Sequence, residues 1–208
     1  MSLFKETLGD NKKFLLLILL LVVACIIVVY TLKSGMYSSG NFLINQKGTY
    51  TEPVDVLDEE YDYSIVISTT YGEITIDLYE KLAPENVNSL LFLIGERYYE
   101  GLTFHQVIKD FKLQAGDVKG DGTGNPGYTV KRENLATFKD YDVGMANASQ
   151  FFIVLPNSEK RSFNGEYTVV GKVVEGFAVV DSIQKVEVED DYKPVNDVVI
   201  KSILIQEN

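Results

Sequence analysis

Nineteen consecutive residues, Phe14 to Leu32, carry no charge: FLLLILLLVVACIIVVYTL. As a helix they would rise roughly 28 Å, about the hydrocarbon thickness of a bilayer. A helix in a soluble core is seldom apolar on every face for so long, so the run is expected to cross a membrane once. Lys12 and Lys13 precede it, and only Lys33 follows closely. The positive-inside bias then places residues 1–13 in the cytoplasm, residues 14–32 in the cell membrane and the remainder outside. Two rivals fit less well. A cleaved signal peptide has a shorter core ending at small residues, whereas this run continues through Ile26, Ile27, Val28 and Val29. Val22-Val23-Ala24-Cys25 resembles a lipobox, but apolar residues follow Cys25 where polar ones are expected.

Residues 33–60 begin KSGMYSSGN and end on Asp58-Glu59-Glu60, a composition expected of a tether. Residues 61–208 then have the size of one domain. The first 32 residues carry a net charge of +1 and the rest carries −12. A surface that acidic repels phosphates, which argues against a nucleic-acid partner. Cys25 is the only cysteine and His105 the only histidine, so neither an internal disulfide nor a Cys/His metal cluster is available.

Within the domain, the alternating runs Tyr63–Thr70 and Glu73–Tyr79, joined by Tyr71-Gly72, predict a β-hairpin. Ala83-Pro84-Glu85-Asn86 predicts a helix start, with Val87, Leu90, Leu91 and Ile94 on one apolar face. Further strands are expected at Thr103–Ile108, Lys112–Gly116, Gln150–Leu155, Tyr167–Val174 and Val198–Ile205, and a second helix at Phe177–Ile183. The glycine-rich stretch Gly116–Gly127 reads as an ordered loop. Many short strands with two helices indicate a mainly β fold; pattern alone leaves barrel and sandwich both open.

The motifs narrow this further. Thr70–Tyr79 and Ala83–Asn88 resemble the opening of cyclophilins. Gly101-Leu-Thr-Phe-His-Gln-Val-Ile108, Phe111-Lys-Leu-Gln-Ala-Gly-Asp117, Gly122-Thr-Gly124 and Pro126-Gly-Tyr128 resemble the segments that follow in that family. Met145–Ala148, Ser149–Ile153 and Val170–Gly176 complete the set in the same order, over residues 62 to 206. The resemblance implies a closed eight-stranded antiparallel barrel capped by two helices. It also implies peptidyl-prolyl cis-trans isomerase activity on proline-containing segments of unfolded or exported proteins, with no cofactor or metal, in a monomeric domain.

Carried over residue by residue, the resemblance makes Phe111 and Phe152 the walls and floor of a proline pocket and gives Gln114 a bond to the substrate. It makes the Asn147 backbone a partner for the extended peptide, with Ala146, Ala148 and Gln150 lining the adjoining groove. Phe163 and Tyr167 take further pocket positions, the former usually a leucine. His105 is expected to be buried, hydrogen-bonded and structural, and Phe151 to belong to the core.

Four positions depart from the pattern. Gln106 stands where the family carries its catalytic arginine. A neutral donor in place of a charge-assisted one forfeits about 1.5–3 kcal/mol, a rate roughly ten- to a hundred-fold lower. Lys112 replaces an apolar residue; its stem can pack while the amine reaches water, or the amine can partly replace the absent charge. The loop after Asn147 is cut to Ala148-Ser149, and Ser162 stands where some members have tryptophan. The sequence therefore predicts a slow folding isomerase, with a non-catalytic prolyl-peptide module (a holdase or adaptor) as the alternative.

Overall fold

Alternation decides the first hairpin. In the computed structural model, which describes residues 49–207 apart from 59, 134 and 135, strands β1 (Tyr63–Thr69) and β2 (Gly72–Leu78) pair antiparallel with Ile65 opposite Ile76 and Ile67 opposite Ile74. All four isoleucines face inward and are buried, while Glu73 and Asp77 face out. The expected membrane span and the residues around it, 1–48, lie outside the described residues. Among the described residues, no helix is long and apolar enough to cross a membrane.

Helix α1 (Pro84–Gly95) follows, with Val87, Leu90, Leu91 and Ile94 buried as their spacing predicts. Proline in its first turn gives up no needed donor. Ala83 offers no side-chain cap; the Glu133 carboxylate accepts from the Glu85 and Asn86 backbone amides instead, at 3.3 and 3.1 Å. An anion at the positive helix end is favourable on two counts, as acceptor and as charge.

The remaining strands are β3 (Gln106–Ile108), β4 (Lys112–Ala115), β5 (Asp142–Met145), β6 (Phe151–Val154), β7 (Thr168–Glu175) and β8 (Ile200–Glu207). A 3-10 turn (Lys160–Ser162) precedes β7, and helix α2 (Phe177–Ile183) follows it. The sheet runs β3-β4-β6-β5-β7-β2-β1-β8, every pair antiparallel. The expected closed barrel is thus a half-barrel, because β3 and β8 stand at opposite ends of the ladder. β3 is three residues long, and the irregular segment before it meets the segment before β8. There Gly101 and Phe104 donate to the Ile200 and Val198 carbonyls, and Ile200 donates to Leu102, at 2.8–2.9 Å.

β5 is the strand the sequence reading lacks. Its sequence Asp-Val-Gly-Met shows no alternation, yet all four residues are buried between β6 and β7. Residues 49–58, assigned to the tether from composition, are bonded along α1. Asn88 Oδ1 accepts from the Val56 and Leu57 amides at 2.8 and 3.0 Å, and Asn88 Nδ2 donates to the Val54 carbonyl at 3.1 Å. The Tyr50 ring meets Phe92 edge-on, with centroids 5.2 Å apart.

Two apolar clusters result. The larger lies inside the half-barrel, where Val107, Leu113, Val143, Phe151 and Ile153 meet both helices. The smaller lies on the opposite face of the same strands and contains Phe138, Phe152, Val154, Phe163 and Val169.

Candidate active site

The outer cluster is built by register. Gln106 of β3 lies opposite Gln114 of β4, which lies opposite Phe152 of β6, which lies opposite Gly144 of β5. Directly paired residues share a face, and Lys112, two residues before Gln114, shares it too. Gly144 is required by close approach: a Cβ there would come within 2.5 Å of Phe152 and 2.7 Å of Phe138.

Onto this row the 3-10 turn delivers Phe163. Its ring stacks on Phe111 at 4.8 Å and on Phe152 at 5.1 Å, each 27° from parallel. Phe138 backs the stack, 5.5 Å from both Phe152 and Phe163, and Tyr167 meets Phe152 edge-on at 5.1 Å. Phe152 and Phe163 are buried, whereas Phe111 and Tyr167 are half-buried and present the accessible rim. An aromatic, largely dry surface of this kind suits an apolar ring such as proline.

A chain of amides runs beside the rings. Gln150 Nε2 donates to the Gly122 and Gly124 carbonyls at 3.1 and 2.8 Å. That turns Gln150 Oε1 toward Gln114, whose Nε2 donates to it at 2.8 Å. Gln114 Oε1 consequently faces Lys112, whose ammonium donates to it. The same ammonium lies 5.7 Å from the centroid of the Phe152 ring, in cation–π range. Burial holds the Lys112 pKa below that of a free lysine. Gln106 is half-buried, and its side chain makes no hydrogen bond among the described residues.

The predicted site residues thus divide. Gln106, Phe111, Lys112, Gln114, Gln150, Phe152, Phe163 and Tyr167 come together on one face, with Ala146 half-buried against the rings. Asn147 Oδ1 accepts from the Ser149 and Gln150 amides at 2.9 and 2.8 Å, closing the short loop into a tight turn. That turn points Ala148 the other way. Expected to line the groove, Ala148 is 2% exposed in the inner core, and its carbonyl accepts from Ser89 Oγ at 2.8 Å. His105 is buried as expected, but its Nδ1 has no partner among the described residues. Phe151 belongs to the inner core.

The sequence reading missed Phe138. It sits between two loops with no periodicity, and only the tertiary fold carries it behind Phe152. Among the described residues, no group of three or more His, Cys, Asp or Glu side chains is arranged to hold a metal ion.

Comparison with known proteins decides the family. Residues 64–205 match the family model "Cyclophilin type peptidyl-prolyl cis-trans isomerase/CLD". The chain belongs to the cyclophilin-type peptidyl-prolyl cis-trans isomerases. Its similarity includes 34% identity to the mouse protein named peptidyl-prolyl cis-trans isomerase-like 3, covering 70% of this chain and 97% of that one. Peptidyl-prolyl cis-trans isomerase 10 of Caenorhabditis elegans is 32% identical over 70% of this chain and 96% of its own. Among solved structures, a cyclophilin-type isomerase from Cryptosporidium parvum superposes with a TM-score of 0.65 at 29% identity, covering 71% of this chain and 99% of that one. A second crystal structure of that parasite protein was obtained in the presence of the dipeptide Ala-Pro, with a TM-score of 0.65 at 30% identity. This cyclophilin therefore carries its aromatic stack and amide chain on an isomerase fold.

Proposed function

We propose that this cyclophilin isomerises X–Pro bonds in unfolded or newly exported chains, as a monomeric domain held outside the cytoplasm by Phe14–Leu32. Its turnover is lower than that of relatives with arginine at the position of Gln106. The observation that carries the reading is the stack Phe111–Phe163–Phe152 lying beside Gln106 and Gln114 on one face. Rotation about a prolyl amide is slow because resonance imposes a barrier of roughly 18–20 kcal/mol. A site that grips the ring while leaving the preceding carbonyl free to turn lowers that barrier by favouring the twisted amide. No acid, base or nucleophile is needed. The twisted nitrogen gains lone-pair character, and a donor there stabilises it. Gln106 offers a neutral amide donor for this task, which supports slow rather than absent turnover.

The test is isomerisation of a proline tetrapeptide by the full-length chain and by its Gln106→Arg variant. Measurable wild-type turnover that rises roughly ten- to a hundred-fold in the variant is expected. Peptide binding with no wild-type turnover would favour the holdase or adaptor. Protease added to intact cells tests the location, since it should digest a domain exposed outside.

A further inference from the structure

Lys112 is out of place in an apolar socket. Lys81, Arg97, Arg132 and Lys160 each have a carboxylate within 3.4 Å. Lys112 is half-buried, and among the described residues no carboxylate lies within 4 Å of its ammonium. A partly desolvated charge without a counter-charge is unfavourable, and packing against Phe152 alone would be served as well by an aliphatic chain. The chain is strongly acidic, yet none of the carboxylates among the described residues is placed here.

We propose that Lys112 makes this site select prolyl bonds flanked by an acidic residue. The inference rests on the reading of the aromatic stack as a proline socket. The amide chain from Gly122 and Gly124 through Gln150 and Gln114 ends on an acceptor oxygen that takes one of the three ammonium donors. The other two remain for a ligand. The ammonium lies 5.7 Å from the centre of the Phe152 ring, beside the aromatic stack that would hold the proline. Consecutive Cα atoms are about 3.8 Å apart, so the side chains of the residues bordering the proline are the ones within reach. A glutamate or aspartate there meets a cation already stripped of part of its water, where an ion pair is stronger than at an open surface. A lysine there meets like charge, so the same residue both attracts and rejects.

The test uses the full-length chain and four tetrapeptides: Ala-Glu-Pro-Phe, Ala-Ala-Pro-Phe, Ala-Lys-Pro-Phe and Ala-Ala-Pro-Glu. Binding and isomerisation are measured for wild type, Lys112→Met and Lys112→Arg. Wild type is expected to favour a glutamate-flanked peptide over the lysine-flanked one by roughly five- to tenfold, mainly in KM or Kd. The preference should shrink in high salt, vanish in Lys112→Met and survive in Lys112→Arg. Peptides turned over with the same ratios in wild type and Lys112→Met would overturn the proposal alone. So would an equal loss on all four in Lys112→Met, which would place the charge in the common rotation step. If no peptide is bound or turned over by wild type, the socket reading fails and the selectivity with it.

Discussion

Gln114 donates to Gln150 across 2.8 Å, and this bond sets the polarity of the site. Both amides are buried, and neither can flip, because Gln150 Nε2 is committed to the carbonyls of Gly122 and Gly124. Replacing Gln150 with leucine leaves the Gly122 carbonyl and the Gln114 donor without a partner, while the Gly124 carbonyl keeps only the Asn147 amide at 3.1 Å. A loss of about 1–3 kcal/mol in unfolding free energy is expected, measured by urea denaturation. Peptide binding should weaken as well, since Gln114 is then held only at its Oε1, by the Lys112 ammonium.

Gly144→Ala tests the close approach beneath the socket. The added methyl would stand 2.5 Å from Phe152 and 2.7 Å from Phe138, in contact with two stacked rings that have little room to move. The substitution should cost about 1–3 kcal/mol and raise the KM for a prolyl peptide. Thermal unfolding and steady-state kinetics on the same preparation check both.

His105 makes stability depend on pH. Burial lowers its pKa below 6.5; the nearby Asp117 opposes that shift and the Lys112 charge adds to it. Between the lowered folded value and 6.5, the unfolded chain binds the extra proton, so the unfolded state gains as pH falls. The His105 contribution is therefore complete above 6.5 and is lost on acidification through that window. The single imidazole should titrate below 6.5 by NMR. The fall in Tm from pH 7.5 to pH 5 should be smaller in His105→Gln than in wild type.

Asn88→Ala should release the strap at residues 54–57 while leaving the sheet intact. It deletes the acceptor of the Val56 and Leu57 amides and the donor to Val54. Hydrogen exchange at those two amides should accelerate by roughly tenfold or more, with little change at β1.

How much of this was legible in the sequence varies by element. The first hairpin, the apolar face of α1 and the span of α2 follow from local alternation and periodicity, and the structure has them where those patterns point. The rings of Phe111, Phe152, Phe163 and Tyr167 come from three separate segments, and only the family motifs pointed to their meeting. β5 escaped because Asp142 and Gly144 have little strand preference; neighbours on both sides hold it extended. The strap at 49–58 has the composition of a linker, and the Asn88 amide that binds it lies more than thirty residues away. Ala148 was misplaced because a shortened loop reverses direction more tightly than the longer family loop would. Amide direction is not written in residue type at all; it emerges from counting donors and acceptors once the fold is known.

That strap also governs how the domain would bear a load. Tension applied through the chain at Thr49 would meet first the Tyr50 amide on the Pro126 carbonyl and the edge-on contact with Phe92. The Asn88 clasp would come next, and the ladder of β1 only afterwards. These few peripheral bonds break one at a time, whereas the ladder must shear together. Peeling residues 49–58 would pay out roughly 33 Å of chain, so a pull at Thr49 would be absorbed before it reached the strands that carry the aromatic stack.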